Sequence, residues 1–181
     1  MGTKAWYAAN RDKISAKKKA WSVMNREKRN AKQKVKYHTD PNFKLHSKMA
    51  SLIHRTLQKK KMHKSQRTHE YLGCSLSYFT TEYWPAKIRA WNEAYPKHPI
   101  SFENSVIHID HIKPRALFND DEMMQCHHFS NLQPLPAAVN LLKSDVWSEQ
   151  DEQHWRTNII FNTDNTAIYL PTDMPTWSHL N

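Results

Sequence analysis

Nowhere in the 181 residues do apolar side chains run on for the about 18 positions that a membrane-spanning helix needs. The basic N-terminal stretch also lacks the apolar middle segment of a secretory signal, so the expectation is a soluble, intracellular protein that is not secreted. Cysteine is scarce. Cys74 and Cys126 lie far apart and form no CxxC pair, which excludes a disulfide scaffold and a four-cysteine zinc site. A mixed site of Cys126, His127 and His128 stays open, although adjacent ligands crowd one another on a single tetrahedral metal. Apart from lysine runs there is no low-complexity segment.

What is present indicates a packed protein. Hydrophobic residues make up 39% of the chain and aromatics 11%, with seven tryptophans, enough to bury a core. The length suits one compact domain with an appendage, or two small domains. Charge is divided unevenly. Residues 1–67 hold 20 of the 27 Lys and Arg but three acids, Asp12, Glu27 and Asp40, giving +17, whereas the remainder is −7. A basic arm on an acidic body implies a polyanionic partner for the arm, nucleic acid first and an anionic membrane second. The competing reading is a solvated basic helix that only aids solubility. The side chains expected to meet a nucleic acid are Lys17, Lys18, Lys19, Arg26, Lys28, Arg29, Lys32, Lys34, Lys59, Lys60 and Lys61.

The arm opens with an internal repeat. AWYAANRDKISAKKK (Ala5 to Lys19) is followed at once by AWSVMNREKRNAKQK (Ala20 to Lys34), with eight of 15 positions identical. Both units are rich in helix formers, without Pro or Gly. Fifteen residues advance a helix by four turns and about 60°, so Trp6 and Trp21 share no tight heptad seam and a coiled coil is disfavoured. The tryptophans could anchor the arm on the body or lie against nucleic acid. Burial is the commoner fate of Trp, so anchoring is expected.

Asp40–Pro41 should break the arm. The segment FKLHSKMASLIHRTLQKKK then shows a helical stripe of Leu45, Met49, Leu52, Ile53 and Leu57, a docking face, before a loop at KKKMHKSQR. From His69 the composition changes: YLGCSLSYFTTEYW has a turn at Gly73, and PAKIRAWNEAY reads as a helix started by Pro85. Next comes NSVIHIDHIKPRALF, strand-like yet packing His108, Asp110 and His111 into four positions. HHFSNLQPLPAAVNLLKSD follows, with SNLQPL alternating as a strand and Pro136 placed to start a helix. The local order is strand, loop, strand, helix. It puts Asp110 and His111 at a strand end, Asn131 on the second strand and Asn140 in the helix.

The motifs DHIKP, NLQPL and NLLKSD, in this order, resemble those of HNH endonucleases, the ββα-metal nucleases, particularly the phage and large-virus type. The resemblance is strong from Ile107 to Asp145 and weaker upstream, at EYLGCSLSYF and DPNFKL. It implies an α+β fold with a ββα-metal core and a basic α-helical N-terminal arm. The domains expected are an arm at 1–67, a nuclease domain at 68–145 with its core at 105–145, and an extension at 146–181, where NIIFNTDNTAIYL reads as a small hairpin turning at TDN or as an extension packed on the body.

By resemblance, Asp110 and Asn140 are the metal ligands, and His111 and Asn131 occupy the catalytic positions, Asn131 with a structural part. The chemistry agrees: an anionic and a neutral oxygen suit a hard cation such as Mg²⁺, and a histidine of ordinary pKa near 6.5 can accept a proton from water. Some family members carry a further metal-binding His where Ser144 stands; its absence favours Mg²⁺ or Mn²⁺ over a softer metal. Lys143 suits phosphate contact. His108, on the strand face of Asp110, would orient it or touch DNA, and His128 has a supporting or substrate-contacting role. The function implied is a phage-encoded or homing-type endonuclease acting on double-stranded DNA, cytoplasmic or nucleoid-associated in a host cell. One site per chain nicks, so a double-strand break would need dimerisation or two events. The alternative is a non-catalytic nucleic-acid-binding protein derived from such a nuclease.

Overall fold

In the computed structural model, residues 4–101 and 107–176 are described, and the chain divides into two compact units, residues 1–44 and 45–181. The first unit is the repeat made into helix: α1 (Lys4–Ala9), α2 (Arg11–Met24) and α3 (Arg26–Thr39). The joints fall at Asn10 and Asn25, the same position of each repeat. At each joint both the backbone N–H and the side-chain amide of the Asn donate to the carbonyl of the repeat's tryptophan four residues back, at 3.0 and 2.9 Å. The doubled bond draws ψ to near 8°, and the helical ladder resumes at once with Ile14 N–H on Asn10 O and Arg29 N–H on Asn25 O. A third joint comes 15 residues later at Asp40. Pro41 forces it into an extended conformation, and its carboxylate accepts the Phe43 N–H to cap α4 (Pro41–Lys59).

No residue of α1, α2 or α3 is buried. Trp6 and Trp21 are 51% and 56% exposed, where burial is the fate expected of them. Trp21 is instead flanked by the Arg29 guanidinium at 5.8 Å, and Trp6 meets Tyr7 edge to face. The basic arm also ends earlier than its charge suggests. Leu45, Met49, Ile53 and Leu57 of α4 are buried in the core of the second unit, so the boundary lies at 44 rather than 67.

The second unit continues through α5 (Thr68–Leu72), α6 (Leu76–Tyr78), a π-helical turn at Phe79–Tyr83 and α7 (Trp84–Ala94). The aromatic run YFTTEYW is therefore helical, and Phe79, Tyr83, Trp84 and Trp91 all face the core. α5 ends at Gly73, whose φ of 70° is left-handed and whose missing Cβ is what admits the ring of His128, since a built Cβ would lie 2.4 Å from it. Then come β1 (Ile107–His111), α8 (Met123–His127), β2 (Leu132–Pro136), α9 (Ala137–Lys143) and α10 (Glu149–His154), which runs into a second π-helical turn at Trp155–Ile159.

β1 and β2 form a two-stranded antiparallel sheet in the register His108↔Leu135, Asp110↔Gln133 and His111↔Leu132, and α9 packs on both strands. The Tyr83 hydroxyl donates to Leu132 O at 3.0 Å, tying the helical layer to the sheet. A two-stranded sheet is marginal alone. Here its Leu132 and Leu135 join the core, where Phe129 packs edge to face on Tyr83 at 4.9 Å and Phe118 on Trp155 at 5.6 Å, each such burial worth up to roughly 3 kcal/mol. Two further expectations are corrected. Asn131 closes a 3₁₀ turn (Phe129–Asn131) just before β2 rather than lying on the strand, and the chain after α10 forms turns and an irregular segment, so of the two forms expected it takes the packed extension and not the hairpin. That segment crosses back as a strap: Tyr169 N–H donates to Gln133 Oε1, and Asp151 accepts from the Tyr169 hydroxyl and the Thr172 N–H.

Candidate functional site

Alternation along β1 puts His108 and Asp110 on one face, and α9 supplies a partner for each. Asn140 and Lys143, one helical turn apart, meet them in turn. The Asn140 amide donates to His108 Nδ1 at 3.0 Å, and the Lys143 ammonium donates to Asp110 Oδ1 at 3.1 Å and to the His111 carbonyl at 2.8 Å. His108 thus holds Asn140, where Asp110 is the partner expected of it. Lys143 is 1% exposed and turned inward, away from the phosphate contact that its position suggested. The next residue, Ser144, leaves the helix with φ of 44°, so it does not extend the face of Asn140.

Asp110 is almost fully buried. Its second oxygen accepts the Gln133 side-chain amide at 2.9 Å, from the residue directly opposite on β2. Burial pushes the carboxyl above its ordinary pKa, while the Lys143 charge and these hydrogen bonds pull the other way. Gln133 also donates to Tyr169 O at 2.7 Å. It was not among the candidates, although it sits inside NLQPL and the strand register alone pairs it with Asp110.

His111 ends β1 with its ring in the body. Its Nε2 lies 3.1 Å from His127 Nδ1, and burial, followed by the positive neighbours His127, Arg115 and Lys143, holds its pKa well below 6.5. His127 is fully enclosed, its pKa lowered by burial to about 4, and its Nε2 has no hydrogen-bond partner among the described residues. Sequence reasoning gave His127 no part beyond the mixed cluster, and its own signal is weak. The cluster that does form is His111, Cys126 and His127, with donor atoms all within 4.8 Å. His128 is excluded from it: its Nδ1 accepts the Ser130 N–H and meets the Ser130 hydroxyl at 2.8 Å, while its ring lies against Gly73 and Phe161. The Cys126 thiol is pushed up by burial to about 12.

Asn131 locks the loop that carries β1 past His111. Its carbonyl oxygen accepts from Lys113 N–H at 2.9 Å and Trp155 Nε1–H at 2.8 Å, its amide donates to Cys126 O at 2.9 Å, and its backbone oxygen accepts from Ile112 N–H. It touches none of the groups facing the cleft. Lys113 sits on the rings of Phe118 and Trp155 at 4.8 and 4.7 Å and pairs with Glu152 at 3.0 Å.

Asp110, His111 and Asn140 line a single cleft of about 450 Å³, together with the charged Lys59, Lys60, Arg115, Lys143 and Asp145. Of the remaining basic candidates, Lys61 is exposed in the loop after α4 at φ of 56°, and Lys17, Lys18, Lys19, Arg26, Lys28, Arg29, Lys32 and Lys34 are all exposed on α2 and α3. Among the described residues no helix is long and apolar enough to cross a membrane.

No family model matches the chain. It is similar to two uncharacterized proteins of Acanthamoeba polyphaga mimivirus. One, L426, is 32% identical over 117 residues, covering 62% of this chain and 47% of the relative. The other, L246, is 27% identical over 117 residues, covering 62% of this chain and 46% of the relative. The chain thus spans about half the length of the curated relatives it matches. No solved structure matches it.

Proposed function

We propose that the chain is a metal-dependent DNA endonuclease of the HNH type, with His111 as general base and Asp110 and Asn140 as the residues that would hold Mg²⁺ or Mn²⁺. The observation that carries this reading is that Asn140, about 30 residues on, meets the neighbouring Asp110 and His111 in one cleft whose lining also includes Lys59, Lys60 and Arg115. Their donor chemistry fits a hard cation: one carboxylate, and one amide oxygen left without a hydrogen-bond partner among the described residues once the Asn140 nitrogen is given to His108. Such an ion, when bound, neutralises the scissile phosphate and stabilises the leaving oxygen.

The remaining work belongs to the chain. His111 engages His127 through Nε2, which leaves Nδ1 to take a proton from water. Burial keeps the ring neutral, and a phosphodiester entering beside Arg115 would offset the positive charges that depress its basicity. Lys59 lies where it would meet the backbone, whereas the Lys60 ammonium already pairs with Asp120 at 2.8 Å and donates to Phe118 O at 2.9 Å. The exposed lysines and arginines of α2 and α3 would bind double-stranded DNA through its phosphates. One site cuts one strand, so a monomer nicks and a double-strand break needs two copies or two events. The enzyme would act inside a cell, where DNA is.

One observation favours a second reading, a non-catalytic DNA-binding protein: the Lys143 ammonium sits on Asp110, where a metal would compete with it. Supercoiled plasmid incubated with Mg²⁺ separates the two. Nicking by the native chain, reduced by about 10²- to 10⁴-fold in His111→Ala with DNA binding retained, is the expected result. Binding without nicking by the native chain would leave the second reading; equal nicking by both would remove His111 as the base.

A further inference from the structure

The interior side of His111 faces chemistry that a hard-metal nuclease site does not use. From the end of β1 comes one imidazole, and from the last turn of α8 come a thiol and a second imidazole. All three are buried, with their donor atoms within 4.8 Å of one another and His111 Nε2 already 3.1 Å from His127 Nδ1. The crowding that argues against neighbouring ligands in sequence is relieved, because only Cys126 and His127 are adjacent and the third donor approaches from the other element.

We propose that His111, Cys126 and His127 form a binding site for a soft divalent cation of the Zn²⁺ class, distinct from the oxygen donors Asp110 and Asn140. Two nitrogens and a sulfur are the donors such ions select. Around a tetrahedral ion, with bonds of about 2.0 to 2.3 Å, donors stand roughly 3.3 to 3.6 Å apart, so the present set closes on a cation by movements on the order of 1 Å. His127 carries the second, independent sign. Its Nε2 is buried without a partner among the described residues. A buried polar atom left in that condition marks a place where an ion or water belongs. The ring makes one hydrogen bond, to His111, and packs edge to face on Tyr71. The fourth position falls to water, for which the cleft lined by His111 is the route.

Filling this site has a consequence that rests on the nuclease reading above. An imidazole that ligates a metal through one nitrogen carries its proton on the other. A filled site therefore leaves His111 without the lone pair a general base requires, and the two uses of His111 exclude each other.

The test is titration of the full chain, freed of metal by chelation, with Co²⁺. One equivalent should produce the near-ultraviolet thiolate-to-cobalt charge-transfer band and the visible bands of tetrahedral cobalt. Both should be bleached by one equivalent of Zn²⁺, kept in Cys74→Ser and lost in Cys126→Ser, with His127→Gln giving the same readout should Cys126→Ser fail to fold. No charge-transfer band in the native chain at one equivalent, or an undiminished band in folded Cys126→Ser, overturns the site. Mg²⁺-dependent plasmid nicking with and without one equivalent of Zn²⁺ then reads the consequence. Nicking stopped by Zn²⁺ and restored by chelation supports mutual exclusion, and nicking that survives a filled site refutes it. A native chain that never nicks sinks the nuclease reading, while the site is judged on the cobalt spectrum.

Discussion

Asn25 in the arm and Asn131 in the body both donate a side-chain amide to a backbone carbonyl at 2.9 Å, yet the two bonds hold different things. Asn25 reaches four residues back along its own helix in open solvent, and any chain with that local sequence would make the same contact. Asn131 is fully buried and ties together Lys113 from the loop after β1, Cys126 of α8 and Trp155 beyond α10. The contrast runs through the whole molecule. In the arm, structure comes from helix propensity and the 15-residue joints, and the side chains are left exposed. In the body, polar groups such as Asp110, Gln133 and Lys143 are spent inside, where each must be satisfied. Changes in the arm should therefore move binding and leave stability alone, and changes in the body should do the reverse.

The largest expected effect removes the arm. A truncation that begins at Asp40 keeps the cap on α4 and takes away 12 of the 27 Lys and Arg. If six or more of these meet phosphates, DNA affinity of the full chain falls roughly 10³-fold between 50 and 200 mM salt, and the truncated chain should bind far more weakly with a much flatter salt dependence. Its thermal midpoint should stay within about 2 °C of the full chain's. A salt dependence unchanged by truncation would take DNA binding away from the arm.

Next comes the same substitution made in both regions. Asn131→Ala orphans two buried donors and one acceptor, so denaturant unfolding should show a loss of about 3 to 5 kcal/mol. Asn30→Ala, exposed on α3, replaces a poor helix former with the best and should be neutral or slightly stabilising. Comparable losses at the two sites would dissolve the contrast.

A smaller effect depends on pH. The His127 pKa is about 4 in the folded chain and near 6.5 when unfolded. Between those values the unfolded state takes up a proton that the folded state refuses, so the neutral ring's contribution is full above pH 6.5 and is lost as pH falls towards 4. The stability of the native chain relative to His127→Phe should drop over that window, by at most on the order of 3 kcal/mol. A difference that stays flat from pH 7 to 4 would show that His127 is not held neutral by burial.

The sequence was most informative where chemistry is local. The helical arm, the break at Asp40–Pro41, the Gly73 turn, the stripe of α4 and the strand–loop–strand–helix order all follow from spacing and turn residues. Alternation also placed His108 and Asp110 on one face correctly. What stayed hidden was pairing at a distance. Nothing in HHFSN says that His127 turns towards His111 while His128 turns towards Gly73, and nothing in NxxK says that the lysine folds inward onto Asp110. The C-terminal segment misled for the same reason: its alternation suits a hairpin, but Tyr169 and Thr172 are claimed by Gln133 and Asp151 from elsewhere in the body. In the arm burial was expected of tryptophans that are more than half exposed.

Those tryptophans give the finest test of the comparison. Trp21 is more than half exposed and borders a shallow apolar patch with Ile14, Lys17 and Lys18, whereas Trp155 is 2% exposed and bonded to Asn131. Trp155→Ala should cost about 3 to 5 kcal/mol of stability. Trp21→Ala should cost under about 0.5 kcal/mol, because little buried surface is lost. Its effect should appear in binding: an aromatic face among lysines adds contact with sugar or base, so its removal should lower DNA affinity by up to about tenfold, or 1.4 kcal/mol. No charge is lost, so the slope of affinity against salt should not move. A changed slope at constant helicity would mean that Trp21 positions its neighbouring lysines, and a large loss of stability would mean that the arm is packed after all.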